Sequence, residues 1–195
     1  MTVKKIIQQA LLVVILSTIL AFTASRLEYK IKAVDWRVLF IICLLISSII
    51  LFAINRLLSF MGDVMYLKSP LSKIDKMTGE EFECYLKARL KTLGYKVEIT
   101  PKSSDYGADL FCFNKTETLV IQAKRYEGNV GNKAVSEIVG AKDYYEADRC
   151  AVITNSYFTI NALNLAEAND VVLIDRDELL SFDYRRIHES VNDKS

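Results

Sequence analysis

One segment of the sequence, residues 38–54, runs through 17 amino acids without a charged side chain. A second apolar run occupies residues 6–24. Crossing the hydrocarbon core of a bilayer takes about 20 helical residues at about 1.5 Å each, and both runs approach that length. The sequence therefore predicts a transmembrane hairpin in residues 1–60, with helices at about 6–24 and 38–58.

Each apolar run has an alternative interpretation. Lys4 and Lys5 precede the first run as they would in a secretory signal peptide, but Phe22 lies where a cleavage site after Ala24 needs a small residue. A buried core helix is the alternative for the second run. Charge leaves the topology open, because residues 25–37 and the outer flanks of the hairpin carry comparable numbers of Lys and Arg.

The four cysteines show no CxxC spacing, which predicts reduced, packing residues and favours a cytoplasmic domain: Cys43, Cys84, Cys112 and Cys150. We therefore expect a multi-pass protein of the inner (plasma) membrane whose remaining domain faces the cytoplasm. The single histidine leaves almost no material for a His-based zinc site or a Ser-His-Asp triad.

The charge balance differs between the two parts of the chain. Residues 1–68 hold eight Lys or Arg and three Asp or Glu, so the whole-chain net charge of +1 leaves residues 69–195 at −4. Nucleic-acid binders often show a basic excess, which is missing here. DNA binding would therefore need a local basic rim, for which the candidates are Lys102, Lys124, Arg125, Lys133 and Lys142.

A juxtamembrane linker at 61–75 leads into a domain at 76–183, and residues 184–195 are predicted to form a frayed tail. Thr78 and Glu81 make a capping-box pattern at the start of the first helix. The elements then follow as three strands, a helix, a strand, a helix and a strand. This order predicts an α/β sandwich in which helices cover both faces of a mixed central sheet.

Alternation and turn residues set the expected boundaries. The predicted strands are 95–100, 108–113, 118–124, 151–154 and 171–174. Three later helices are predicted. The first covers about 133–147, the second begins after a cap at Asn155 or Ser156, and the third covers 177–182.

Residues 103–126 outline a β-hairpin with polar groups at one end. Asp109 begins one apolar run of the hairpin, and Gln122 and Lys124 end the next. Side chains alternate along a strand, so Gln122 and Lys124 point to the same face while Ala123 points to the other. Three polar groups can then meet at one end of the hairpin.

Phosphodiester hydrolysis needs an activated water and a neutralised phosphate, which a Mg²⁺ ion on oxygen ligands and a nearby lysine can supply. Asp109 offers a carboxylate, Gln122 its amide oxygen and Ala123 its backbone carbonyl. Lys124 offers the ammonium. Glu83, at the margin of the first helix's apolar face, is predicted as the second acid.

Several short motifs recur here in a characteristic order: Thr78-Gly79 with Phe82-Glu83, Gly94-Tyr95, Asp105-Tyr106-Gly107-Ala108-Asp109, Gln122-Ala123-Lys124-Arg125-Tyr126 and Thr154-Asn155-Ser156. In this order they resemble the Mrr-like restriction endonuclease domain, the QxK variant of the PD-(D/E)XK nuclease superfamily, from about residue 74 to 180. The resemblance implies that Asp109 binds the metal, that Gln122 and Lys124 form the QxK pair, and that Glu83 is the helical acid.

The resemblance also implies the activity: a Mg²⁺-dependent, or Mn²⁺-dependent, endodeoxyribonuclease for restriction of foreign or modified DNA. Gln122 replaces the superfamily's usual second acid, which removes one negative charge and predicts weaker metal binding. Lys102, Ser103 and Arg125 are predicted phosphate contacts. Asp105 is interpreted as a residue that shapes its turn.

Two other interpretations stay open. One keeps the fold as a catalytically weak module that binds DNA or a protein at the membrane, although retention of Asp109 with Lys124 favours activity. The other is a membrane sensor or scaffold whose hairpin oligomerises, for instance as a homodimer. Mrr-like enzymes often carry a separate DNA-recognition domain where this sequence has its apolar hairpin, so no target sequence is predicted.

Overall fold

Of the 195 residues, the computed structural model describes 12, 15–20, 22–23, 36–101 and 106–181. Much of the predicted first membrane helix and the whole tail at 184–195 lie outside these residues. So do Lys102, Ser103 and Asp105, ahead of the hairpin. Their predicted roles therefore stay predictions.

The chain divides into two compact units, Met1–Gly62 and Asp63–Ser195. Helix α1 covers Trp36–Leu67. Within the described part of the chain, one segment, Phe40–Leu67, is long and apolar enough to cross a membrane. The helix runs well past the predicted end at residue 58, because the sequence here is rich in strong helix formers such as Leu, Met and Arg. Residues 61–67 of the predicted linker are therefore helical.

The described residues of the second unit contain four further helices, of which the first is short. They are α2 Leu71–Ile74, α3 Gly79–Thr92, α4 Asn132–Tyr144 and α5 Ile160–Ala168. The predicted capping box starts α3: the Thr78 side chain accepts from the Glu81 N–H, and the Glu81 carboxylate accepts from the Thr78 N–H. This local pattern is confirmed.

Five strands form a single mixed sheet in the order β1-β2-β3-β4-β5. They are β1 Lys96–Ile99, β2 Leu110–Phe113, β3 Thr118–Lys124, β4 Arg149–Thr154 and β5 Val172–Ile174. The first three pair antiparallel, whereas β4 and β5 run parallel to β3. Leu110 lies opposite Ile121, and continuing that register by one residue places Asp109 opposite Gln122.

Helices cover both faces of the sheet, which confirms the predicted fold class. Leu119 and Ile121 of β3 belong to one core with Phe82 of α3. Val120, between them, belongs to the other core with Ile138 of α4. Every residue of β4 is buried, as expected for a parallel strand with helices on both sides. Gln122 and Lys124, in step with Val120, consequently lie on the α4 face.

The predicted start of α5 was wrong. Its cap is Thr159, whose side chain accepts from the Ala162 N–H, and neither Asn155 nor Ser156 takes that position. The Asn155 side chain is engaged elsewhere, because its Oδ1 accepts from the Tyr126 N–H at 2.8 Å. A bond to a neighbouring strand therefore replaces the local cap.

The predicted helix from residue 177 was also wrong. The described residues 176–181 form turns. Asp175 Oδ1 accepts from the N–H groups of Asp177 and Glu178, which closes a tight local turn instead. The strand boundaries, in contrast, differ from the predicted ones by at most two residues at either end.

Asp75 links the segment before α3 to the carboxyl ends of three strands. Its carboxylate accepts two bonds from Arg176, at 2.6 and 2.8 Å, and a third from Asn155 Nδ2 at 3.0 Å. Its carbonyl accepts from Arg125 Nη2 at 2.7 Å. The bonds from Arg176 hold the pKa of Asp75 at about 2, since they outweigh the partial burial that acts to raise it.

The substitution Asp75→Asn is expected to make the free energy of unfolding less dependent on pH in the acidic range. Because the folded-state pKa is below the ordinary value of about 3.9, the ionised carboxylate stabilises the fold fully above about pH 4 and loses this effect toward about pH 2. In denaturant unfolding of the full-length chain, the wild type should have a larger free energy of unfolding than Asp75→Asn at pH 7. This gap between the two proteins should narrow below about pH 4. A gap that is independent of pH would contradict this role.

Candidate active site

Asp109 is held at the open end of the β2–β3 hairpin by hydrogen bonds to the chain segments on both sides of it in the sheet. Its N–H donates to the Ile121 carbonyl at 2.9 Å, and its carbonyl accepts from the Thr100 N–H at 3.0 Å. Its carboxylate Oδ2 accepts from the Ala123 N–H at 2.7 Å. The backbone on either side thus determines where this carboxylate lies, next to Gln122 and ahead of Lys124.

The loop that carries Asp109 packs directly on α4. Gly107 has a φ of +94°, and a Cβ added there would lie 2.7 Å from the Glu137 carbonyl oxygen. Tyr106, also with a positive φ of 44°, stacks its ring on Tyr144 with 3.8 Å between the ring centroids. Only glycine lets the backbone approach the helix this closely, so Gly107 sets the position of the loop.

Among the predicted site residues that the structure describes, Gln122 has the most buried side chain, with 4% of its surface exposed. Its Nε2 donates to Glu137 Oε2 at 2.9 Å. Its Oε1 is buried and has no hydrogen-bond partner among the described residues. Buried polar atoms are nearly always paired, because an unpaired one loses its hydration without compensation. This oxygen is therefore a candidate ligand atom.

Lys124 shares the same glutamate. Its Nζ lies 3.4 Å from Glu137 Oε2, and the Nζ of Lys133 lies 3.7 Å from Glu137 Oε1. Partial burial would raise the pKa of the Glu137 carboxyl, but the bond from Gln122 and the charges of the two lysines lower it below its ordinary value. Glu137 is consequently an anion at neutral pH, surrounded by three donors.

A cavity of about 350 Å³ opens beside these groups. Its volume falls in the range of ligand pockets. Two cationic, one anionic and several neutral side chains line it: Lys124, Tyr126, Asn129, Val130, Gly131, Lys133, Ala134 and Glu137. Lys124 is thus accessible from outside while Gln122 lies deeper.

A family model for a restriction endonuclease domain, Mrr_cat, matches residues 74–182, more than half of the chain. The chain belongs to the Mrr_cat restriction endonuclease family. The match confirms the predicted Mrr-like domain. Membership supports a nuclease-type hydrolase with DNA as its substrate, and restriction-endonuclease-like domains generally use divalent metals.

The other comparisons are sparse. No curated protein matches the chain. A solved structure similar to it is the crystal structure of protein of unknown function AF1548, at 14% sequence identity and a TM-score of 0.42. That similarity covers 54% of this chain and 60% of the other.

The Mrr_cat domain has few acidic side chains near the end of β3, where the metal ligands are predicted. Among the described residues, no three His, Cys, Asp or Glu side chains form a group that could hold a metal ion. The oxygens that the predicted ligand residues offer are the Asp109 carboxylate, which accepts from the Ala123 N–H, the unpaired Gln122 Oε1 and the Ala123 carbonyl. Such a set suits a hard cation like Mg²⁺, which keeps several waters and needs only one or two carboxylates.

Glu83 lies on α3, the helix that covers the other face of the Mrr_cat domain's sheet. It is half-buried on α3, next to Phe82, and α3 packs on the face opposite to the one that carries Gln122. Its role as the second acid stays a prediction.

Arg125 serves the domain's own structure. Its Nη2 donates to the Asp75 carbonyl at 2.7 Å, and its Nη1 lies 3.7 Å from Glu127. Its Nε is buried and has no hydrogen-bond partner among the described residues. Contact with a DNA phosphate stays a prediction for this side chain, as it does for Lys102 and Ser103.

Sequence reasoning missed Glu137, which contacts both Gln122 and Lys124. A signal for it was available. The predicted helix has an apolar stripe through Ala134, Ile138 and Ala141, and Glu137 borders that stripe, four residues after Lys133. A carboxylate at the edge of a buried helix face is a place to look for a partner on the sheet below.

Proposed function

We propose that this chain is a Mg²⁺-dependent endodeoxyribonuclease, held at the inner membrane by its apolar N-terminal part with the Mrr_cat domain in the cytoplasm. One observation carries the proposal. At the end of β3, within a nuclease-family domain, the Asp109 carboxylate accepts from the Ala123 N–H, the adjacent Gln122 carries an unpaired buried oxygen, and Gln122 and Lys124 both contact Glu137. Mn²⁺ is the alternative cofactor, and restriction of foreign or modified DNA is the proposed role.

In this proposal Asp109, the Gln122 Oε1 and the Ala123 carbonyl hold the metal ion. When bound, a divalent cation supplies charge neutralisation at the phosphate and activation of water. The Ala123 N–H keeps the Asp109 carboxylate in one orientation at 2.7 Å. One carboxylate in place of two predicts modest metal affinity.

Lys124 stabilises the negative charge that develops on the phosphate during attack. Its side chain is 35% exposed and lines the cavity, so a backbone phosphate can approach it. A cation near the reacting phosphate favours the transition state over the ground state, because the transition state carries more charge there. Glu83 is proposed as a second acid, and Lys102, Ser103 and Arg125 as phosphate contacts.

The membrane part of the proposal rests on α1. Its large apolar side chains are exposed, up to 69% for Phe52 and 66% for Ile49. A continuous apolar helix surface is unfavourable in water, whereas lipid tails cover it without loss of hydrogen bonds. The segment Phe40–Leu67 has the length that a span needs.

One experiment tests both parts. Cells that express the full-length chain are fractionated, the membranes are washed with alkaline carbonate, and the chain is purified in a mild detergent. We expect it to stay with the membranes and to cut plasmid DNA with Mg²⁺, and we expect a chelator to abolish cutting and added Mg²⁺ to restore it. Release by carbonate would overturn the anchor. A well-folded chain that cuts no DNA would overturn the nuclease in favour of a binding module.

A further inference from the structure

We propose that Glu137 is a positioning residue of the active site: it turns the Gln122 amide so that Oε1 is presented to the metal ion, and it holds Lys124 beside it. The inference rests on the proposed function. Glu137 contacts both members of the QxK pair and the loop of Asp109. In this proposal Glu137 does not bind the metal ion itself.

The first step concerns the orientation of the amide. The two ends of a glutamine amide have nearly the same shape, so hydrogen-bond partners decide which end points where. Glu137 Oε2 accepts from Gln122 Nε2 at 2.9 Å. The reversed amide would place Oε1 against a carboxylate oxygen, two acceptors in contact with no proton between them. Glu137 therefore selects the orientation that leaves Oε1 unpaired.

Burial makes this selection effective. Gln122 is only 4% exposed, so its amide cannot turn to water as a surface glutamine does. The buried, unpaired Oε1 lowers the stability of the fold, and it stays in this position as long as the Nε2 bond holds. A cation at Oε1 would remove that cost, which is the arrangement expected of a prepared ligand.

The second step concerns Lys124. Its Nζ and the Gln122 Nε2 both lie near the same oxygen, Glu137 Oε2, at 3.4 and 2.9 Å. A flexible lysine loses entropy when it is held, and a shared carboxylate restricts both side chains at once. The ammonium is thereby kept on the face of the sheet that carries the proposed metal ligand.

The third step concerns Glu137 itself, whose backbone packs against the loop of Asp109. The Glu137 carbonyl oxygen lies 2.7 Å from the position that a Cβ of residue 107 would take, so loop and helix are in close contact. Residue 107 is two positions before Asp109. One residue of α4 thus touches the parts of the chain that carry all three proposed groups.

The test measures binding of Mn²⁺ alone, by its electron paramagnetic resonance signal, to the full-length chain without DNA. In Glu137→Gln, the new amide can pair with Gln122 in either direction, so Oε1 is no longer selected. We expect the Mn²⁺ dissociation constant to rise about 10-fold, as for other residues that orient metal ligands. Asp143→Asn, an exposed acid on the same helix, is the matched control and should bind as the wild type does.

An exchange variant separates positioning from general loss of structure. Gln122→Glu alone places two carboxylates in contact and should disturb the site. Combined with Glu137→Gln, it restores a bond with the donor and acceptor exchanged and leaves one carboxylate oxygen for the metal. We expect the double variant to bind Mn²⁺ at least as tightly as the wild type. Weaker binding by the double variant would overturn the proposal, even if Glu137→Gln alone fails to fold.

The outcomes also separate this inference from the proposed function. If the wild type binds Mn²⁺ and cuts DNA while Glu137→Gln binds Mn²⁺ equally well, the positioning role is wrong and the nuclease stands. If the wild type binds no Mn²⁺ and cuts no DNA, both are overturned. Complete loss of binding in Glu137→Gln without recovery in the double variant would indicate a direct ligand and also contradict positioning.

Discussion

Replacing Lys124 by methionine is expected to slow DNA cleavage by at least about 100-fold, the usual range for loss of one charged group that acts in the transition state. Methionine keeps most of the apolar stem and removes only the ammonium. The ion pair to Glu137 spans 3.4 Å between side chains that are about a third exposed, so its loss should cost at most about 1 kcal/mol of stability. Cleavage should therefore fall without unfolding.

Lys133→Met is the matched control for this prediction. Lys133 also pairs with Glu137 and lines the same cavity, but its side chain is 88% exposed. Initial rates of plasmid nicking with Mg²⁺ should stay within a few-fold of the wild type, because only an outer charge is lost. Equal losses in the two variants would point to a general charge effect on DNA binding, and an active Lys124→Met would remove Lys124 from the mechanism.

Gly107→Ala is expected to destabilise the domain by about 3 kcal/mol, a large part of the 5–15 kcal/mol typical of a folded domain. Two causes add. An L-residue at a φ of +94° is strained by about 1–3 kcal/mol, and the new methyl group would meet the Glu137 carbonyl at 2.7 Å. The loop must then move away from α4 and take Asp109 with it, so cleavage should fall as well.

Two other glycines separate these causes. Gly94 has nearly the same φ, +91°, but open space at its Cβ, so Gly94→Ala should show the strain alone, about 1–2 kcal/mol. Gly140 lies within α4 with open space and an ordinary backbone, and its replacement by alanine should stabilise the helix slightly. Denaturant unfolding followed by circular dichroism gives all three values. A cost at Gly107 no larger than that at Gly94 would contradict the close packing of loop and helix.

Much of the fold could be predicted from local patterns. The capping box of Thr78 and Glu81 and the strand Thr118–Lys124 were predicted at their observed positions. Hydrogen bonds within four residues and the alternation of a strand depend only on neighbours in the chain, so the sequence shows them directly. The same alternation put Gln122 and Lys124 on one face of the sheet.

What failed was prediction of side-chain partners. Asn155 was expected to cap α5, yet it bonds to the Tyr126 N–H from the adjacent strand. Asp75 was placed in a linker, yet it pairs with Arg176, 101 positions later in the chain. Capping preference is a local tendency, and a partner brought close by the sheet competes with it successfully.

By itself, the sequence determined the α/β class, the hairpin and the motifs of a restriction endonuclease domain, because periodicity and short-range bonds are written in neighbouring residues. Only the tertiary structure decided how the site is supported. It set Glu137 of α4 against Gln122 and Lys124 of β3, and left Gln122 Oε1 buried without a partner among the described residues. Glu137 follows Gln122 by 15 residues, and no local pattern records the distance across the helix–sheet interface. Packing of α4 on the sheet creates that contact.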